Sequence, residues 1–482
     1  MQLRAIQRIA GGVVGLASVV SLPPLGFALY DRDGSAFAFL ASFALTGGFG
    51  LLLWLTAGPV KADLRLREGF LVTTLSWVSV CATSALPFML APPYLGIADA
   101  LFESTSGITT TGATVIAQLE GLPRSVLFYR QLLHFIGGMG IVILAVAILP
   151  MLRVGGLQLF RAEISGAVRD TKLTPRITET AKLLWMIYVG LTVACAAFYW
   201  LAGMSWFDAI GHAFSTVATA GFSTHDASIG HYDSPLIEAV AMLFMLLGAV
   251  NFSLHYLAWH RASTAPYRGD RELSLLLRVV LVAALVCTAA LYLHGVYPSI
   301  AMALRHASFQ VVAALTTTGF GTAAFQLWPG ALPLLVILLS FSGGCAGSTT
   351  GGLKVRRLAV MLKVGVRELR QLIHPHAALV LRAAGRPIDE EAMRAVAGFI
   401  ALYIAALVLF TIALASTGLD LVTAASAAAA CINNLGPALG QAASHYAALT
   451  DAPIGILTLA MIVGRLEVFT LLVLLTPAFW RE

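Results

Sequence analysis

Apolar stretches of about 20 residues recur from one end of this 482-residue chain to the other, and each is long enough to cross about 30 Å of hydrocarbon as a helix. Ten are read, at 9–30, 35–58, 69–91, 124–151, 180–202, 234–259, 273–294, 330–365, 394–415 and 452–479. With 59% hydrophobic and only 11% charged residues, a soluble fold is excluded. The fold class is an all-α polytopic membrane protein. Segments of about 30 residues within the last four pairs of spans are too apolar for aqueous loops, and each ends in a turn rich in Thr, Asn and Gly.

The formal charge of +6 is less informative than its placement. Four loops carry 22 of the 30 basic residues: Lys61, Arg65 and Arg67; Arg153, Arg161, Arg169, Lys172, Arg176 and Lys182; Arg261, Arg268, Arg271 and Arg278; and Lys354, Arg356, Arg357, Lys363, Arg367, Arg370, Arg382, Arg386 and Arg394. The positive-inside rule makes these loops cytoplasmic, with both termini on that side. Segments 203–234 and 416–451 contain no Lys or Arg, as the opposite face requires. Arg4 and Arg8 precede an apolar run without a small-residue cleavage site, so the first helix is expected to be retained. Cys81, Cys195, Cys287, Cys345 and Cys431 are scattered singly and read as packing residues.

An internal repeat organises the turns. Thr109-Thr110-Thr111-Gly112-Ala113-Thr114 aligns with Ala218-Thr219-Ala220-Gly221-Phe222-Ser223, then with Thr316-Thr317-Thr318-Gly319-Phe320-Gly321-Thr322, and last with Ile432-Asn433-Asn434-Leu435-Gly436-Pro437-Ala438. The glycines are 109, 98 and 117 residues apart, and Asp99 and Asp208 each stand 13 positions before theirs. All four turns follow an outward-going span, which makes the repeats parallel about an axis along the membrane normal. The units run 63–170, 171–265, 266–375 and 376–482, after two leading helices in 1–62. Four loops around one axis offer rings of backbone carbonyls that replace the hydration shell of K⁺. Glycine supplies the backbone angles, and the short helices aim their negative C-terminal ends at the centre.

These residues resemble the Trk, Ktr and HKT superfamily of K⁺ transporters, in its bacterial TrkH/TrkG branch. The resemblance also rests on Gly-Arg-Leu-Glu-Val-Phe-Thr from Gly464 to Thr470 and on the glycine-rich run from Ser342 to Lys354. It implies a selectivity filter of Thr110, Thr111, Gly112, Thr219, Ala220, Gly221, Thr317, Thr318, Gly319, Asn434, Leu435 and Gly436. The stretch 330–365 holds 36 residues, roughly 54 Å as a helix, and is interrupted by Gly, Ser and Thr. The resemblance makes that break an intramembrane gate, with Gly343, Gly344, Gly347, Ser348, Thr349, Gly351, Gly352 and Lys354. Arg465, a charge in the middle of an apolar span, is then an electrostatic barrier beneath the filter, and Glu467 lies on another face of the same helix. The resemblance further implies a TrkA-like cytoplasmic subunit binding ATP, ADP or NAD(H), docked near 354–394, a homodimer, and the bacterial inner membrane.

The second and fourth turns depart from strict fourfold sequence, so some Na⁺ or Rb⁺ passage is expected, while a glycine in every copy argues against the Na⁺-selective variant with serine in the first repeat. His134, His212 and His255 read as hydrogen-bonded packing residues. Gly137-Gly138-Met139-Gly140 lacks the strand, spacing and acid of a dinucleotide loop, and no enzyme motif stands out. K⁺ is therefore the only small partner expected within this chain, with no organic cofactor and no nucleic acid. The rival reading is a K⁺/H⁺ or K⁺/Na⁺ symporter working by alternating access, which calls for titratable groups at the midplane and often for inverted repeats.

Overall fold

The computed structural model describes residues 2–59, 66–143, 177–375, 381–383 and 386–481. Lys61, Arg65, Arg153, Arg161, Arg169, Lys172, Arg176 and the end of the 124–151 span lie outside the described residues. Six described helices are long and apolar enough to span a bilayer: Leu3–Asp31, Ala36–Ala57, Arg67–Leu90, Ala181–Leu201, Arg271–Leu293 and Glu390–Ala415. The only strands among the described residues are a two-residue pair, Arg382–Ala383 with Arg386–Pro387. The protein is an all-helical membrane protein with several apolar spans and bent helix pairs.

The last four spanning helices each lead into a short helix: Ile97–Ile108, Trp206–Val217, Ile300–Leu315 and Leu421–Ile432. Capping chemistry starts three of these. Ser205 accepts a hydrogen bond from the Asp208 amide, Ser299 from Met302 and Asp420 from Thr423. Asp99 and Asp208 sit in the first turns of their helices, where a carboxylate favours the positive end of the helix dipole. Leu421–Ile432 has an alanine-rich run that is almost wholly buried, so its small side chains let neighbouring backbones approach.

Two spans read as single helices are not. Residues 234–259 form Pro235–Ala249 and Phe252–His260, bent by 96°, and residues 452–479 form Asp451–Arg465 and Phe469–Leu475, bent by 110°. At the first break Val250 is extended, and the Asn251 side chain accepts from the Ser253 amide to start the next helix. The freed Ala249 carbonyl accepts instead from the Cys345 amide at 2.8 Å, so an outside loop satisfies the broken helix end. At the second break Glu467 and Val468 both have positive φ, 57° and 49°. Arg465 is therefore the last residue of its helix, and Glu467 lies in the break and pairs with Arg357 at 2.7 Å rather than occupying a face of the same helix. The 330–365 stretch divides as its glycines foretold, into Leu332–Leu339, a buried loop, and Val355–Ile373.

Candidate functional site

Each short helix ends in the same way. The Thr111, Ala220, Thr318 and Leu435 amides reach back five residues to Ser106, Ser215, Ala313 and Ala430, at 2.8 to 2.9 Å. The preceding amides, of Thr110, Thr219, Thr317 and Asn434, reach back three. This is the Schellman pattern, which needs a left-handed residue just past the helix, usually glycine. Here that residue is Thr110, Thr219, Thr317 or Asn434, with φ of 52°, 51°, 54° and 54°. A β-branched residue in this region is strained. Two positions later Gly112, Gly221, Gly319 and Gly436 return to positive φ, 80°, 89°, 77° and 91°. Four turns with different sequences thus share one backbone.

The four turns close on one another in chain order. A side chain on Gly112 would overlap the Ala220 carbonyl oxygen, one on Gly221 that of Thr318, one on Gly319 that of Leu435, and one on Gly436 that of Thr111. Each glycine therefore packs against the oxygen just before the next repeat's glycine, and the fourth meets the first. Asn434 of the fourth turn also donates to the Thr111 hydroxyl of the first at 2.9 Å. Thr110, Thr111, Thr219, Ala220, Thr317, Thr318, Asn434 and Leu435 are all buried, yet no donor among the described residues reaches their backbone carbonyl oxygens. Buried carbonyls are almost always paired, so eight in one place form a site made for a cation or for water. A cavity of about 100 Å³ opens on one side of the ring, bordered by all four glycines.

On the other side lies the glycine-rich loop. Ser348, Thr349 and Thr350 are buried, and Gly343, Gly347 and Gly352 have positive φ of 58°, 77° and 70°. The loop is fastened to the turns through their strained residues. The Thr219 hydroxyl lies 3.0 Å from that of Thr349, and the Gly351 amide donates to the Thr317 hydroxyl at 2.7 Å. A side chain on Gly351 would overlap the Asn433 carbonyl, and one on Gly344 that of Ala249. Arg465 completes the seam: one guanidinium nitrogen donates to the Thr110 hydroxyl at 2.6 Å and to the Thr349 carbonyl at 3.0 Å. Among the described residues Arg465 has no carboxylate partner, although it is buried. Lys354 folds back to donate to the Thr350 hydroxyl at 2.9 Å. Every residue expected in the filter or the gate is thus found in one of two touching layers.

Sequence reasoning missed the supports behind the ring. Nine positions before each glycine stand Glu103, His212, Gln310 and Ala427. Glu103 accepts from the Val115 amide at 3.1 Å, His212 lies 2.9 Å from the Ser223 hydroxyl, and Gln310 donates to the Ala323 carbonyl at 3.1 Å. Each short helix but the last therefore holds its own exit strand from the same position. In the fourth repeat Tyr446 takes over, donating to the Gly436 carbonyl at 2.7 Å. Glu103 also forms a buried ion pair with Arg130 at 2.8 Å, and Arg130 donates to the Ser223 carbonyl of the second repeat at 3.2 Å. The signal was available, since aligning the repeats by their glycines brings the three polar residues to one register. His134 and His255 are hydrogen-bonded packing residues, as is His212, and the five cysteines are buried and unbridged.

Comparison with known proteins places this architecture. A family described as cation transport protein, TrkH, matches residues 35–481. The chain is 47% identical to the Trk system potassium uptake protein TrkH of Halomonas elongata and to that of Escherichia coli K12, over the full length of both partners. It is 39% identical to the Trk system potassium uptake protein TrkG of Escherichia coli K12, covering 100% of this chain and 99% of that one. The crystal structure of the potassium transporter TrkH from Vibrio parahaemolyticus superposes with a TM-score of 0.93 at 44% identity, covering 100% of both chains. A closed ring of four like turns, full-length identity and a full-length structural match lead to one assignment: the chain belongs to the TrkH family, whose members are membrane transporters and not enzymes.

Proposed function

We propose that this chain is the K⁺-conducting membrane subunit of a Trk-type uptake system. Four parallel units, 63–170, 171–265, 266–375 and 376–482, surround one passage after two leading helices in 1–62. K⁺ enters by the cavity bordered by the glycines and exchanges its water for the carbonyls of the four turns, with Rb⁺ and some Na⁺ also passing. The loop from Gly343 to Lys354 and Arg465 close the passage beneath. The observation that carries this reading is the cyclic contact of the four glycines around carbonyls that no donor among the described residues satisfies. The names borne by the TrkH and TrkG relatives agree with it. Inward movement draws about 2.3 kcal/mol per charge from each 100 mV of membrane potential, so no hydrolysis is needed in this chain.

The passage faces out of a bacterial inner membrane with both termini in the cytoplasm, and the chain works as a homodimer. A TrkA-like ring that binds nucleotide docks on the basic region 354–394 and moves the loop. The purified chain in liposomes tests conduction. Rb⁺ influx is expected to follow an imposed potential at equal pH and equal Na⁺ on both sides. An influx that vanishes without an H⁺ or Na⁺ gradient would transfer the chain to the coupled carriers.

A further inference from the structure

Beside the cavity at the open side of the ring lies a group of side chains that the conduction reading does not use. Glu120, His225 and His231 each bring a ligand atom to within 4.8 Å of the other two. His225 and His231 stack with ring centroids 3.6 Å apart. Neither ring nitrogen of His225 has a hydrogen-bond partner among the described residues, although both are buried. Their nearest acidic oxygens are Glu120 Oε1 at 3.8 Å from Nδ1 and Asp208 Oδ1 at 3.7 Å from Nε2, both beyond hydrogen-bond length. Buried imidazole nitrogens ordinarily find partners, as both of His212, both of His255 and one of His134 do here, whereas among the described residues His225 has neither satisfied.

The surroundings hold this group in place. The His225 amide donates to the Ser223 hydroxyl at 3.0 Å, the Asp226 amide to the Glu120 carboxylate at 3.1 Å, and the Leu119 amide to the Asp226 carboxylate at 3.1 Å. The loop after the first turn is thereby tied to the loop after the second. His225 and Asp226 also line the cavity that borders the four glycines.

We propose that Glu120, His225 and His231 form a binding site for a borderline-soft divalent cation such as Zn²⁺, and that its occupancy restricts entry to the ring. Two imidazoles and one carboxylate are a donor set that suits zinc. Zinc takes nitrogen at about 2.0–2.1 Å, so the donors must draw together by roughly 1–1.5 Å. Glu120 and His231 are exposed, and Glu120 can offer Oε2 while its Oε1 keeps the Asp226 amide. His231 must also turn out of the stack, because lone pairs in two parallel ring planes do not meet at one ion. A bound divalent ion places two positive charges beside the mouth and opposes the approach of K⁺. Its effect on transport rests on the conduction reading, whereas the site itself does not.

Two measurements separate the two. Equilibrium dialysis of the purified full-length chain with ZnCl₂ is expected to give one tight ion per chain, and His231→Ala and Glu120→Gln are each expected to weaken it by at least about 10-fold, since losing even an outer-shell partner costs 10–100-fold. Absence of stoichiometric binding, or affinity unchanged in both exposed-residue variants, overturns the site. Rb⁺ uptake into liposomes is then titrated with external ZnCl₂, each variant against its own metal-free rate and MgCl₂ as control. Inhibition that shifts by the same factor as binding supports the restriction. Binding without inhibition, with metal-free uptake intact, refutes the restriction alone, and absent metal-free uptake refutes the conduction reading.

Discussion

Gly319→Ala is the sharpest test of the ring, because its damage falls on a neighbour. An L-residue at φ 77° costs about 1–2 kcal/mol in backbone strain alone. The added carbon would also overlap the Leu435 carbonyl oxygen and stand 2.7 Å from Pro437 Cδ, both in the fourth repeat. Ordinary contact begins near 3.5 Å, so the fourth turn must retreat by roughly 1–1.5 Å, and a carbonyl displaced that far no longer matches the other three. Gly321 provides a control two residues on. A methyl group there meets nothing nearer than Gln310 Nε2 at 3.9 Å. Uptake of ⁸⁶Rb⁺ and ²²Na⁺ into liposomes reads the outcome: Gly319→Ala is expected to abolish preference for Rb⁺ over Na⁺, while Gly321→Ala retains it. Equal selectivity in the two variants, with both proteins monodisperse, would refute the claim that the third turn bears on the fourth.

Three further outcomes follow from the contacts around the ring. Arg465→Ala is expected to raise Rb⁺ flux, since a unit charge about 5 Å from a passing cation at an effective dielectric of about 20 opposes it by about 3 kcal/mol; an unchanged liposome flux returns Arg465 to a purely structural role. Thr317→Val removes the acceptor of the Gly351 amide and is expected to loosen the loop and raise flux, while Thr317→Ser, which keeps the hydroxyl, is not; like behaviour of the pair contradicts the fastening. Glu103→Gln strips the charge from a fully buried partner of Arg130 and is expected to lower stability by about 3–5 kcal/mol, with Glu103→Gln/Arg130→Met recovering part of it; additive losses in thermal unfolding count against the pair.

Several of these features were readable in the sequence and others were not, for reasons of local chemistry. The four ring glycines were visible because only glycine holds those angles cheaply, so the residue type reports the backbone. The left-handed residues two positions earlier were invisible at Thr110, Thr219 and Thr317, because threonine signals the opposite preference. Asn434 alone carries a side chain that tolerates that region. The loop at 340–354 was legible from its glycines, but the bends at 250 and 467 were not, since apolar runs look alike whether straight or broken. Their causes are tertiary: Ala249 gives up a helical bond because Cys345 supplies another, and the Glu467 turn answers Arg357. Glu103 and Gln310 escaped notice, and His212 was read only as a packing residue, because the repeats were compared at their turns and not along their helices.

Threonine at a position that favours glycine needs a reason, and the hydroxyls supply one. Glycine would relieve about 1–3 kcal/mol of strain at each turn but would offer no side chain to what lies beneath. Thr110 accepts from Arg465, Thr219 meets Thr349, and Thr317 accepts from Gly351, so three of the four strained residues are fastened to the layer made by Arg465 and the glycine-rich loop. At a net 0.5–1.5 kcal/mol each, the two bonds that reach the loop directly, from Thr219 and Thr317, hold it by about 1–3 kcal/mol, and Arg465 adds a bridge from Thr110 to the Thr349 carbonyl. A membrane potential of 100–200 mV acting on one charge, or a modest bias from a docked partner, is of the same size. Under the proposed function, such a hold keeps the loop closed at rest and leaves it weak enough to be moved. The fourth turn stands apart, because Asn434 spends its amide on Thr111 and on the Met461 carbonyl instead. Asn434 braces the ring, and the fourth turn's tie to the loop comes from its neighbour Asn433, whose side-chain amide donates to the Ser340 hydroxyl at 2.8 Å, so replacing Asn434 should disturb selectivity before it disturbs closure.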